Sequence, residues 1–214
     1  MKGLVGKKIG MTSVFLEDGT AMPVTVVEIE PNLVFGHRTT ERDGYTALQL
    51  AVGKLSEKGK RNAIKPHLGE YKKRNQEPHR TIKEFRVDEK GLAEHAVGTT
   101  LTVELFKKGD RVDVTATSRG LGFAGVMKRH HMKGAARDSA SSHEHHRHMG
   151  AVGMRKTPGR VFRNKRMPGH MGVDKCTVQN LKVIDVIAES NLILVSGSVP
   201  GYDSAAVMIR PAVK

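Results

Sequence analysis

The run GLVGKKIGMTSVFLEDGTAMPVTVVEIE, residues 3–30, decides the fold class. Residues 3–16 and 21–30 are rich in Val, Ile and Thr, side chains that pack well on a pleated, half-buried surface. Between them stand Glu17, Asp18, Gly19 and Thr20. An Asp-Gly pair between two such runs signals a β-hairpin, because glycine takes the positive φ that a tight turn needs. Working outward, residues 45–52 read as another strand, and residues 111–117 alternate Val112, Val114 and Ala116 with polar neighbours. After a long interruption come residues 177–187, 191–199 and 205–209, each bounded by Gly, Pro, Asn or Asp. Short strands on both sides of one interruption predict a mainly β fold closed into a barrel.

The interruption is chemically unlike its flanks. Residues 119–170 hold twelve Lys and Arg against only Asp138 and Glu144, a net +10 out of the chain's +14. The rest of the 214 residues carries only +4 and has the composition of an ordinary folded domain. Seven of the eleven histidines lie in the same stretch, yet its large hydrophobes other than Met are few: Leu121, Phe123, Val126, Val152, Val161 and Phe162. It cannot build a core of its own, and a loop of this length inside a domain is usually functional. Run out and back as a hairpin, each limb reaches at most roughly 85 Å when fully extended. The domains expected are therefore a barrel from residues 1–118 and 171–214 and an extended loop from 119–170. Within the first, residues 57–90 form a basic, partly helical insertion that lacks strong strand patterning.

A surplus of +14 destabilises a compact state by self-repulsion unless a polyanion offsets it. Membrane binding would need a long apolar run or a basic amphipathic helix, and the sequence has neither, which leaves nucleic acid. Residues after Met1 show no apolar signal core and no Arg/Ser-rich transit segment, so a cytoplasmic chain is expected. A single cysteine, Cys176, excludes an internal disulfide, and its place before Thr177 and Val178 suits a small buried core residue.

Three catalytic or ligand-binding patterns fail on context. Gly120, Gly122 and Gly125 match GxGxxG after a strand, but about twenty residues on, where an acid would hold a ribose, residues 139–145 offer only Glu144, and the basic cluster that follows the glycines has no apolar helix face. His143, Glu144, His145, His146 and His148 suggest zinc, but an HExxH helix from His143 would need histidine where Arg147 stands. No GxSxG string or paired carboxylates mark a catalytic pocket. We therefore expect no enzyme activity, no metal, no cofactor and no small-molecule substrate.

What remains is a set of cations among glycines and prolines. Arginine offers a bidentate fork to phosphate, and glycine lets backbone amides approach closely. The candidate RNA-binding residues are Arg119, Lys128, Arg129, His130, Lys133, Arg137, His143, Arg147, Arg155, Lys156, Arg160, Arg163, Lys165 and Arg166. With 4% aromatic residues and no Trp, folded RNA is a better partner than generic single strands. Composition alone also permits an architectural DNA-binding protein.

Five strings carry a resemblance: GLVGKKIGMT (3–12), GFAGVMKRHHMKG (122–134), TPGRVFRNKRMPGHMG (157–172), TVQNLKVIDV (177–186) and NLILVSGSVPG (191–201). Together they resemble the bacterial form of large-subunit ribosomal protein number three, along the whole chain and most loosely over residues 57–90. The resemblance implies a six-stranded β-barrel related to those of translation factors, with a central extension threading large-subunit ribosomal RNA. It implies a turn at Gly153, Met154 and Arg155 nearest the peptidyl-transferase centre, a role early in subunit assembly, and contacts with large-subunit ribosomal proteins fourteen and nineteen. Two departures stand out. Many bacterial members have Pro-Gly where this chain has Met149-Gly150, and some have a methylated glutamine where Met154 has no amide to modify.

Overall fold

The computed structural model describes residues 3–135 and 143–213. In chain order its strands and helices are β1 (Leu4–Phe15), β2 (Ala21–Glu28), β3 (Asn32–Arg38), α1 (Thr40–Asp43), β4 (Ala47–Lys54), α2 (Glu57–Asn62), α3 (Lys65–Lys73), β5 (His79–Arg86), α4 (Glu89–Glu94), β6 (Thr100–Leu101), β7 (Arg111–Thr117), β8 (Phe123–Ala124), α5 (Val126–His130), β9 (Gly169–His170), β10 (Lys175–Ile187), β11 (Leu192–Ser196) and β12 (Ala206–Pro211). They divide into two compact units, Met1–Thr117 with Lys175–Lys214, and Ser118–Asp174.

Six strands of the first unit close on themselves as a barrel in the order β1, β12, β7, β10, β11, β2, with every neighbouring pair antiparallel. These are the runs at 3–16, 21–30, 111–117, 177–187, 191–199 and 205–209 of the sequence. Closure depends on long strands that change partner along their length, the stagger that any barrel needs. β1 pairs with β12 from Leu4 to Lys7 and with β2 from Lys7 to Phe15. β10 pairs with β7 through Lys175 to Lys182 and with β11 from Val183. Register shifts between Val178 and Leu181 and between Val183 and Asp185 give β10 the local twist for both roles. At the first of these, the Asn180 N–H donates to Oδ1 of buried Asp113 at 3.0 Å.

Alternation fills the barrel. Leu4, Val27, Val112, Val114, Val183, Ile193, Val195, Val207 and Ile209 are buried in one cluster, each contributing about 1.5–3 kcal/mol by leaving water. Cys176, expected in the core, is only half-buried, since it stands at the start of β10 between exposed Lys175 and Thr177.

The run at 45–52 does not join the barrel. It becomes β4 of a second sheet, ordered β5, β4, β3, β6. The insertion at 57–90 supplies α2, α3 and, contrary to the reading of that region, a full strand, β5, paired with β4 from Ala47↔Arg86 to Lys54↔His79. β5 escaped notice because only its His79 and Phe85 are buried, while Arg80, Glu84 and Arg86 stay at the surface. One face of this sheet takes α3, where the Tyr71 ring lies 4.6 Å from that of Phe35 and the Arg74 guanidinium covers Phe35 at 3.9 Å. The other face shares the barrel core through Val34, Leu48, Leu50 and Phe85.

A buried side-chain amide also joins sheet and barrel. Where β1 has not yet met β2, the Val5 N–H donates to Asn32 Oδ1 at 2.8 Å, and Asn32 Nδ2 donates to the Val5 carbonyl at 3.0 Å and to the Glu30 carbonyl at 2.8 Å. Asn32 and Val5 are essentially buried, so no water can substitute. Asn32→Ala is expected to strand both backbone groups of Val5 and lower stability by about 2–4 kcal/mol, read by chemical denaturation.

On the second sheet, Glu84 accepts from the Tyr45 hydroxyl at 2.7 Å, the Gln49 amide at 2.9 Å and Arg38 Nε at 3.2 Å. The Tyr45 bond first, then Gln49, favours the ionised form and holds the Glu84 carboxyl below its usual value. Its contribution to stability is thus fully present above the unfolded value of about 4.3 and is lost as pH falls through the lower folded value. Glu84→Gln is expected to be less stable than wild type at neutral pH, with the difference shrinking below about pH 4 in acid titrations.

Candidate nucleic-acid interface

The second unit, Ser118–Asp174, begins as a ladder between its two limbs. Ser118 N–H donates to the Asp174 carbonyl at 2.8 Å, Leu121 N–H to Met171 at 2.9 Å, and Met171 N–H to Gly122 at 2.9 Å. β8 and β9 extend it through Phe123↔His170 and Ala124↔Gly169. The limbs are pressed together at Gly172, which has φ +83°, and an added Cβ there would collide with the Arg119 carbonyl. The GxGxxG string therefore serves strand pairing, and the helix after it, α5, has only five residues.

Helix α5 stops at His131, which adopts a left-handed conformation with φ 55°. On this helix two of the candidate cations turn inward. Arg129 Nη1 donates to the Met167 carbonyl at 2.8 Å, and His130 Nε2 lies 3.1 Å from the same oxygen. Both side chains thus tie one limb to the other, and both are only half-exposed. Further along, Gly134 comes so close to the His146 carbonyl that no Cβ fits, and Ala135 N–H donates to it at 3.2 Å.

The other candidates face solvent. Arg119, Lys128, Lys133, His143, Arg147, Arg155, Lys156, Arg160, Arg163, Lys165 and Arg166 are all exposed, and Arg137 lies outside the described residues. Among the described residues, no ion pair engages any of these side chains. Every residue from Gly150 to Arg166 is exposed, including Gly153, Met154 and Arg155 at the expected turn. Apolar groups are exposed with them, Met154 at 75% and Phe162 at 58%, with Arg160 5.5 Å over the Phe162 ring. A surface of cations without acid partners, interleaved with exposed apolar groups, suits phosphate and base contact.

Among the described residues, no three His, Cys, Asp or Glu side chains converge as metal ligands, and no helix is long and apolar enough to cross a membrane. Sequence reading missed a pocket of about 860 Å³ beside α5, whose walls come from residues far apart in the chain, such as Val126 and Pro168. Lys133, His145, Arg147 and His148 of its lining stood out in the sequence, but not that the fold brings them together.

The chain is similar to proteins of known family along its whole length. The family model for "Ribosomal protein L3" matches residues 87–191. The "Large ribosomal subunit protein uL3" of Anaeromyxobacter sp. (strain Fw109-5) is 48% identical over 214 residues, covering 99% of this chain and 91% of the relative. This chain belongs to the ribosomal protein L3 family. The member from Myxococcus xanthus (strain DK1622) is 47% identical over 100% of the chain and 94% of the relative, and that from Thioalkalivibrio sulfidiphilus is 48% identical over 99% and 97%.

In this L3-family chain, Gly172→Ala is expected to open the base of the second unit. A side chain held in left-handed backbone costs about 1–2 kcal/mol, so exchange of the Leu121 and Met171 amides should quicken by ~5- to 30-fold. Unchanged protection in hydrogen-exchange mass spectrometry would show that the ladder does not depend on this contact.

Proposed function

We propose that the chain is a structural component of the large ribosomal subunit, without a catalytic step, that binds folded large-subunit ribosomal RNA through its second unit. Whole-chain identity of 48% to a protein named for the large ribosomal subunit carries this reading. Among the described residues of 119–170, the exposed cations that make no ion pair support it physically, because neutralising them with phosphates lowers the self-repulsion of a +10 segment and releases counterions.

The finer assignment follows from the family. Residues 1–118 and 171–214 are the barrel domain, with 57–90 as its basic insertion, and 119–170 the RNA-binding loop. The barrel is of the kind seen in translation factors and folds from its own apolar core. Residues 151–166 of the loop take their working shape as RNA neutralises them. Arg119, Lys128, Lys133, Arg137, His143, Arg147, Arg155, Lys156, Arg160, Arg163, Lys165 and Arg166 contact the RNA, while Arg129 and His130 brace the loop that presents them. Gly153, Met154 and Arg155 lie nearest the peptidyl-transferase centre. The chain works in the cytoplasm, enters the subunit early in assembly and meets large-subunit ribosomal proteins fourteen and nineteen.

Salt dependence tests the electrostatic core of this reading. With ~6 to 10 phosphate contacts, affinity for an isolated ribosomal RNA fragment should fall ~10³- to 10⁵-fold between 50 and 200 mM salt. Replacing Arg160, Arg163, Lys165 and Arg166 together by Gln should lower the slope of log K against log salt by about three to four, roughly one per lost contact. Their exposure predicts an unchanged circular dichroism spectrum. A slope that does not move would remove these residues from the interface.

A further inference from the structure

The pocket of about 860 Å³ in the second unit lies between the end of α5 and residues 145–150. Its volume falls in the range of sites that enclose a small molecule, about 300–1,000 Å³. Val126, Met132, Met149 and Pro168 provide apolar walls, while Lys133 and Arg147 bring cations to the same lining. His145 and His148 complete it, with ring centroids 4.9 Å apart and their Nδ1 atoms 3.1 Å apart.

That last distance fixes the chemistry of the histidine pair. One Nδ1 carries the hydrogen and the other accepts it. When both rings are neutral, the accepting ring must then hold its hydrogen on Nε2, and the donating ring must have a bare Nε2. Whichever way the pair is arranged, it presents one donor and one acceptor. Nucleobases carry donors and acceptors side by side on their edges, together with flat apolar faces.

Building on the RNA-binding reading, we infer that this pocket receives one unpaired nucleotide of the bound RNA, its base against the Met and His side chains and its phosphate toward Lys133 and Arg147. The alternatives fit less well. A free phosphate would use the two cations and leave the apolar walls without purpose. A metal ion would find only two of the described imidazoles, already bonded to each other, with Arg147 beside them. An apolar peptide would have to desolvate Lys133 and Arg147 without compensation.

The test uses the full-length protein labelled with ¹³C at its Met methyl groups. Adenosine, guanosine, cytidine and uridine 5′-monophosphates, ribose 5-phosphate and inorganic phosphate are each titrated to millimolar concentration. At least one nucleotide should shift the Met132 and Met149 methyl signals, while ribose 5-phosphate and phosphate leave them in place. In the double variant His145→Ala/His148→Ala, that nucleotide's affinity should fall at least ~5-fold, the lower end of what a stacked base is worth. The variant's circular dichroism and the salt slope of ribosomal RNA binding should match wild type.

Equal shifts with ribose 5-phosphate would make the site a simple anion site and overturn the inference. So would the absence of any nucleotide-dependent shift. If ribosomal RNA still binds with steep salt dependence in that case, the pocket assignment fails alone. If nucleotides bind and ribosomal RNA does not, the RNA-binding reading is what fails.

Discussion

The buried amide of Asn32 is the joint on which the first unit depends. It occupies the edge of β1 at Val5 that faces away from β12, before the pairing with β2 begins at Lys7. An unpaired backbone N–H and carbonyl in an apolar core cost several kcal/mol together, so the gap has to be filled by something shaped like a peptide group. A side-chain amide is that shape. Because Asn32 belongs to β3, filling the gap also fixes the second sheet against the barrel, and Val34, Leu48 and Leu50 can then share the core with Leu4 and Ile209.

Closure of the barrel sets the conditions for the loop. β7 and β10 are neighbours in the ring and pair at Thr117↔Lys175, so the chain leaves and re-enters the first unit at opposed residues. Insertion of 57 residues at such a point adds little closure cost, since its ends are already held together by the ladder. The paired limbs at the start of the second unit then need only backbone hydrogen bonds, with glycine at the tightest approach.

The barrel was legible in the sequence because β7, β11 and β12 bury alternate Val or Ile residues and the other strands are rich in the same side chains. The second sheet was less so. β3 starts at Asn32, directly after Pro31, and only the tertiary position of Val5 turns that asparagine into a core residue. β5 hides its period among charges for a related reason, because neighbours on β4 and α3 determine which of its faces is wet. In the candidate interface, charge and glycine content singled out the stretch, but not the direction of each side chain. Arg129 and Arg163 look alike in the sequence, yet one is spent on the Met167 carbonyl and the other faces solvent.

That division of labour follows from what can stabilise each part. Fixing one residue's backbone costs about 1–2 kcal/mol, and in the barrel apolar burial offsets it. From Gly150 to Arg166 no side chain is buried, so no internal term of that kind is available. If the segment has one working conformation, an external partner has to supply the stabilising free energy, and the unpaired cations specify its sign of charge. The exposed Met154 and Phe162 narrow the partner further, since a polyanion that also offers flat apolar faces can cover them while it neutralises Arg155, Arg160 and Arg163. Folded RNA has both properties, whereas an acidic protein surface would leave the planar groups poorly matched.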